Sequence, residues 1–138
     1  MGIRPYIFFD GRCEEALDFY RTALGAEVTA LMRYADNPDR SQPSMVPPGS
    51  EQKVMHAQLS VGGGEIFCSD GLCHGQPRFQ GISVTLDVPT AAEADRAFAA
   101  LAEGGTVQMP MAATFFSPRF GMVADRFGLG WMIIANGA

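Results

Sequence analysis

Between residues 55 and 61, three polar side chains alternate with apolar ones: His56, Gln58 and Ser60 against Met55, Ala57, Leu59 and Val61. That two-residue period puts an imidazole, a carboxamide and a hydroxyl on one face of a strand and an oily surface on the other. Histidine is the side chain best matched to proton transfer near neutral pH, which makes His56 the candidate catalytic residue. It could act as a general base or as a hydrogen-bond anchor for a ligand oxygen; a structural histidine bonded to a neighbouring strand or loop is the alternative. Glu27, Asp87 and Asp125 are carboxylates that could assist, although Asp125 followed by Arg126 reads more simply as a turn salt bridge or cap.

The same alternation recurs at Ile82, Val84, Leu86 and Val88 against Ser83, Thr85 and Asp87, and at Ile7 and Phe9 against Arg4, Tyr6 and Phe8. If helices cover the oily faces, the other faces either line a ligand-sized cleft or are solvated, as in many antiparallel sheets. On the cleft reading the ligand-binding set is Tyr6, Phe8, His56, Gln58, Ser60, Ser83 and Thr85, with Met122 and Met132 as an adaptable thioether wall. Met109, Met111, Phe115, Phe116 and Trp131 fit either that wall or an ordinary core. Cys68 is placed toward the cleft, but no adjacent base suggests thiolate chemistry.

Three cysteines, Cys13, Cys68 and Cys73, are an odd number with no export signal beside them, and they read as reduced thiols. Cys68, Cys73 and His74 lack the paired spacing and fourth ligand of a structural zinc site. Of the 138 residues 47% are hydrophobic and 18% charged, and the net charge is −5 with no basic cluster. That balance suits one globular domain over 1–138 and argues against nucleic acid and anionic membrane surfaces as partners. The apolar runs are of strand length, so neither a membrane span nor a signal core is expected, and the chain reads as cytoplasmic.

Two helices must position these strands. The first is expected over 12–24, with Ala16, Leu17, Tyr20 and Leu24 inward, Glu14 and Glu15 in its first turn and Gly25 past its end. The second opens at Thr90 with a capping box to Glu93, buries Ala94, Ala97, Phe98 and Leu101, and stops at Gly104 and Gly105. Four prolines and scattered polar residues mark 37–53 as a long surface loop, a lid or a decoration.

The chain is also written twice. At an offset of 79, Ile3, Ile7, Phe9, Phe19, Gly25 and Val28 fall on Ile82, Leu86, Val88, Phe98, Gly104 and Val107. At an offset of 66, Gly62, Gly64 and Phe67 fall on Gly128, Gly130 and Ile133, so the first copy carries thirteen extra residues, assigned to the 37–53 loop. The expected fold class is α+β: two βαβββ modules, 1–70 and 71–138, forming a curved, mainly antiparallel sheet around a cleft.

The segments PYIFFDG (5–11), ALDFY (16–20), LGAEV (24–28), HAQLSV (56–61), MPM (109–111), FGMVADRFG (120–128) and WMI (131–133) resemble the PhnB-like proteins. These are a branch of the vicinal oxygen chelate superfamily, with glyoxalase I, fosfomycin and bleomycin resistance proteins and extradiol dioxygenases, and they often carry the label 3-demethylubiquinone 3-methyltransferase-like. The resemblance covers nearly the whole chain and implies the paired-module fold and a homodimer. It also implies metal ligands on the first and last strands of each module; carried over, those places are Arg4, Ile66, Ser83 and Met132, to within one residue. None suits a hard divalent ion, so no cofactor is expected and a divalent metal is disfavoured. Nor is either helix preceded by the glycine-rich turn expected of a methyl-donor cradle. The function these readings favour is binding of a small organic molecule. The alternative is an enzyme of lyase, dioxygenase or transferase type using His56 as base, with a non-standard metal or none.

Overall fold

The computed structural model describes residues 1–37 and 47–138; most of the expected 37–53 loop lies outside the described residues. The chain divides into two compact units, Met1–Pro77 and Arg78–Ala138. The first contains β1 (Tyr6–Phe8), α1 (Cys13–Leu24), β2 (Glu27–Arg33), a 3₁₀ turn (Tyr34–Asp36), β3 (Val54–Val61) and β4 (Gly64–Ser69). The second contains β5 (Val84–Val88), α2 (Ala91–Ala102), β6 (Thr106–Ala112), β7 (Phe120–Ala124) and β8 (Gly130–Ala135).

Each unit is a four-stranded mixed sheet with one helix. The strand orders are β1-β4-β3-β2 and β5-β8-β7-β6, with the first and last strands parallel and the remaining pairs antiparallel. Both are the expected βαβββ module. β2 and β6 differ by 79 in number throughout, as the repeat requires, and the bounds of β4 and β8 differ by 66. Register moves the last strands by one residue: Tyr6 pairs with Phe67 and Thr85 with Met132, so Phe67 corresponds to Met132 and not to Ile133, and Gln58 corresponds to Met122. The β3–β4 turn needs only Gly62 and Gly63, whereas five residues, 125–129, connect β7 to β8.

Asp125 explains the longer turn. Its buried carboxylate accepts from the backbone N–H of Phe127 and Leu129 at 2.9 and 3.1 Å and from Trp131 Nε1 at 2.9 Å. It is a turn cap, as one sequence reading had it, with these three bonds made to its own turn and to the indole of Trp131.

In the first unit α1 lays Cys13, Ala16, Leu17 and Tyr20 on the sheet, where Ile7, Phe9, Ala57, Leu59, Ile66 and Cys68 are also buried. Burying a side chain the size of Leu17 contributes about 2 kcal/mol. Leu24, expected inward, is only half-buried because it is the helix's last residue. Gly25 then adopts a left-handed φ of 65° that ends the helix.

The start of α1 is held from far away in sequence: Asp70 Oδ1 accepts from Cys13 N–H at 2.7 Å, while Oδ2 accepts from Val54 N–H at 2.6 Å. A buried carboxylate thus ties α1, β3 and the end of β4 together. Asp10, in the β1–α1 turn, binds the backbone N–H groups of His74 and Gln76 at 2.8 and 3.2 Å, which holds the segment after β4 to the first unit.

In the second unit Ala94, Ala97 and Leu101 of α2 are buried with Val123, Trp131, Ile133 and Ala135, and Phe98 is half-buried. Thr90 Oγ1 accepts from Glu93 N–H at 3.2 Å, the hydroxyl half of the expected capping box. β5 begins two residues later than its alternation suggests, because its pairing to β8 begins with Val84 opposite Trp131. Ile82 is therefore exposed, and Ser83 lies before the strand, its Oγ 2.8 Å from where a β-carbon on Gly130 would stand.

Candidate functional site

In each sheet, alternate residues face away from the helix. In the first unit Tyr6 pairs with Phe67, Phe67 with Gln58 and Gln58 with Ala30, so these four form one row across all four strands. His56 pairs with Met32 one step along the same face. Tyr6 is 39% exposed, Phe8 57% and Met32 41%, leaving an open surface of rings and a thioether around a half-buried imidazole.

The rings are mutually packed. Tyr6 and Phe8 have centroids 4.9 Å apart, Tyr6 and His56 5.6 Å, and His56 meets Phe67 edge-on at 5.4 Å. The Arg4 guanidinium lies 5.5 Å from the Phe67 centroid and pairs with Glu65 at 2.8 Å. The two charges cancel beside the aromatic patch.

His56 is held at both nitrogens: Tyr6 Oη lies 3.1 Å from Nδ1 and Gln58 Nε2 lies 3.4 Å from Nε2. If the Gln58 amide donates, the imidazole carries its proton on Nδ1 and gives it to the Tyr6 oxygen, which frees the phenol O–H for a ligand. In the other tautomer Tyr6 donates to Nδ1 and Nε2–H meets the amide oxygen, which turns the Gln58 NH₂ outward. Either arrangement leaves a donor for an oxygen acceptor and neither leaves the imidazole a spare nitrogen.

The structure thus brings Tyr6, Phe8, His56 and Gln58 together. Ser60 is on the same face but farther along, paired with Glu27 and Glu65. Sequence reasoning missed Phe67, Glu65 and Met32. The signal for the first two was present in β4, where Glu65 and Phe67 alternate with the buried Ile66 and Cys68. For the same reason Ile66, one of the four carried-over ligand places, points into the core at 6% exposure.

In the second unit the equivalent row is Thr85, Met132, Met122 and Met109, each paired with the next. Thr85 Oγ1 lies 3.9 Å from Met132 Sδ. Asp87, two residues from Thr85 on the same face, accepts from Asn136 Nδ2 at 3.1 Å. Ser83 stands outside the row, at the approach to β5.

The cysteines do not face this surface. Cys13 and Cys68 are buried beneath α1 with their sulfurs 3.7 Å apart, and the hydrogen bond between them, together with burial, pushes the Cys13 thiol well above its ordinary value. Cys73 is also raised, by burial. Cys13 and Cys73 are therefore neutral thiols of little nucleophilic character. Tyr34, whose hydroxyl donates to Gly71 O at 2.7 Å, is pushed up to about 12, chiefly by burial. Among the described residues no group of three or more His, Cys, Asp and Glu side chains is placed to hold a metal ion.

Comparison with known proteins bears on this geometry. A family model described as 3-demethylubiquinone-9 3-methyltransferase matches residues 1–134. Protein YjdN of Escherichia coli K12 is 33% identical over 138 residues, spanning 96% of this chain and 94% of that protein. The crystal structure of PA1353 from Pseudomonas aeruginosa is similar at a TM-score of 0.85 and 39% identity, covering 100% of this chain and 99% of that one. A PhnB protein from Bacillus cereus gives 0.77 and 28%, with full coverage of both chains (100% each). A glyoxalase/bleomycin resistance protein/dioxygenase superfamily member from Sphaerobacter thermophilus shares the fold at a TM-score of 0.57 and 20% identity, covering 98% of each chain. With its two βαβββ units and a match running from the first residue to the last strand, the chain belongs to the 3-demethylubiquinone-9 3-methyltransferase, or PhnB-like, family and has the glyoxalase-superfamily fold.

Proposed function

We propose that this protein binds a small, planar organic molecule bearing an oxygen acceptor on the open face of its first sheet, without a divalent ion at the superfamily's usual positions. The observation that carries the reading is the Tyr6–His56–Gln58 chain set among Phe8 and Phe67: an aromatic surface with one outward hydrogen-bond donor. Apolar area with a few placed polar groups is the usual make-up of a small-molecule site. Ser60 adds a hydroxyl farther along the same face; Ser83, Thr85, Met122 and Met132 belong to the second unit.

The donor set supports the metal-free part. On the open face, the first and last strands present Tyr6, Phe8, Glu65 and Phe67 in one unit and Thr85, Asp87, Met132 and Ile134 in the other. The hard anionic donors among these are Glu65 and Asp87, one in each unit; Glu65 is already paired with Arg4, and Asp87 accepts from Asn136 Nδ2. Binding is favoured over catalysis because His56, to act as a base, would first have to release Tyr6 or Gln58.

Methyl transfer, named in the family's description, finds no such support. Asp70 places a carboxylate on the Cys13 N–H at the start of α1, Thr90 takes the Glu93 N–H at the start of α2, and neither helix follows a glycine-rich turn that would cradle a methyl donor. The protein acts as a homodimer on this reading, two-fold pairs being the commonest small assemblies.

The test is ligand-detected NMR with a library of hydroxylated and carbonyl-bearing aromatic fragments. A saturable binder should lose about tenfold in affinity on Tyr6→Phe and at least as much on His56→Ala, the worth of one hydrogen bond and more. Affinity unchanged in both variants would remove these residues from the site.

A further inference from the structure

We infer that the open face of the second sheet is a binding site for a soft monovalent cation of the Cu(I) or Ag(I) type, formed by the thioethers of Met109, Met122 and Met132. Met109 pairs with Met122 across β6 and β7, and Met122 with Met132 across β7 and β8, so three methionines stand side by side on adjacent strands and on one face. Directly opposed residues have β-carbons about 5 Å apart, and each methionine has three rotatable bonds beyond that point. Three sulfurs can therefore converge on one ion without moving the backbone.

The surroundings suit such an ion. Met132 and Met122 are half-buried and Met109 is 45% exposed, which gives a site open at one edge and sheltered at the other. Thr85 continues the row with its hydroxyl already 3.9 Å from Met132 Sδ, and Asp87 places a carboxylate on the same face two residues away. Thioethers are neutral and soft: they coordinate Cu(I) and discriminate against the hard divalent ions that carboxylates and imidazoles take. The internal repeat sharpens the point. The corresponding row of the first sheet, Tyr6, Phe67, Gln58 and Ala30, has no sulfur, so the thioethers are a property of this row and not of the module. The assignment does not depend on the organic-ligand reading of the first unit.

The experiment is a titration of Ag(I), a redox-inert probe, into the whole protein carrying methyl-¹³C methionine, read after the accessible thiols have been saturated as judged with Ellman's reagent. The methyl resonances of Met109, Met122 and Met132 should move together and saturate with one ion per chain. Met111 should stay, since it belongs to the helix side of the sheet, its sulfur 2.5 Å from where a β-carbon on Gly121 would sit and beside Phe98. Met122→Leu, a volume-conserving change at the centre of the row, should weaken binding at least about tenfold. The inference is overturned if the three methyls stay still once the thiols are filled, if Met111 moves as much as they do, or if Met122→Leu binds undiminished.

Discussion

Tyr6 and Gln58 hold the His56 ring from opposite sides, at 3.1 and 3.4 Å, and that pairing decides what the imidazole can do. It becomes a relay that fixes which way a donor points, and the ligand meets the phenol or the amide first. A second residue-scale contact links α1 to the end of β2: Arg33 Nη2 lies 2.6 Å from Glu14 Oε2, and its hydrogen bond holds the Glu14 carboxyl below its ordinary value of 4.5. A depressed carboxylate contributes stability that is present above its unfolded pKa and is lost as pH falls through the lower folded one. Glu14→Gln should therefore leave a protein whose melting temperature falls less steeply between neutral and acid pH than that of the parent, with only a small change at pH 7, since the Glu14 side chain is 56% exposed. Parallel thermal melts across that range check it. The alternation of residues 55–61 revealed His56 and Gln58 in the sequence; their partner Tyr6 is fifty positions away and only strand order brings it near.

At the scale of elements, local signals were the legible ones. Apolar spacing, Thr90 and Gly25 placed both helices to within a residue or so of their observed limits, because those signals lie inside or next to the helices themselves. What remained hidden was long-range: α1 has no side-chain cap of its own, its first N–H being met by Asp70 from the end of β4, 57 positions on. Asp70→Ala removes an acceptor from two N–H groups around a buried carboxylate and should cost about 3 kcal/mol in denaturant unfolding, with Asp70→Asn costing less because one oxygen remains. Parity in β4 is the other lesson. A shift of one residue exchanges the faces of a strand, so a ligand place carried over as Ile66 fell in the core, while Glu65 and Phe67 held the open side.

At the scale of the whole molecule, the doubled sequence makes two units with one strand order and different open faces: rings and an imidazole in one, thioethers in the other. The repeat was legible because both copies kept the glycines and apolar positions that their backbones require. The divergence between faces was legible only once registers aligned Tyr6 with Thr85 and Phe67 with Met132. If the chain works as a homodimer, light scattering should give a mass near twice 14.8 kDa, and a value of one chain mass across the working concentration range would refute it. The central claim, an organic ligand bound without a divalent ion, is tested most directly by mapping a fragment hit on isotope-labelled protein by NMR, with and without a strong chelator. The account predicts shifts centred on Tyr6, Phe8, His56, Gln58 and Phe67 that the chelator leaves unchanged. Binding that disappears with the chelator and returns with zinc or manganese, or shifts that avoid these five residues, would contradict it.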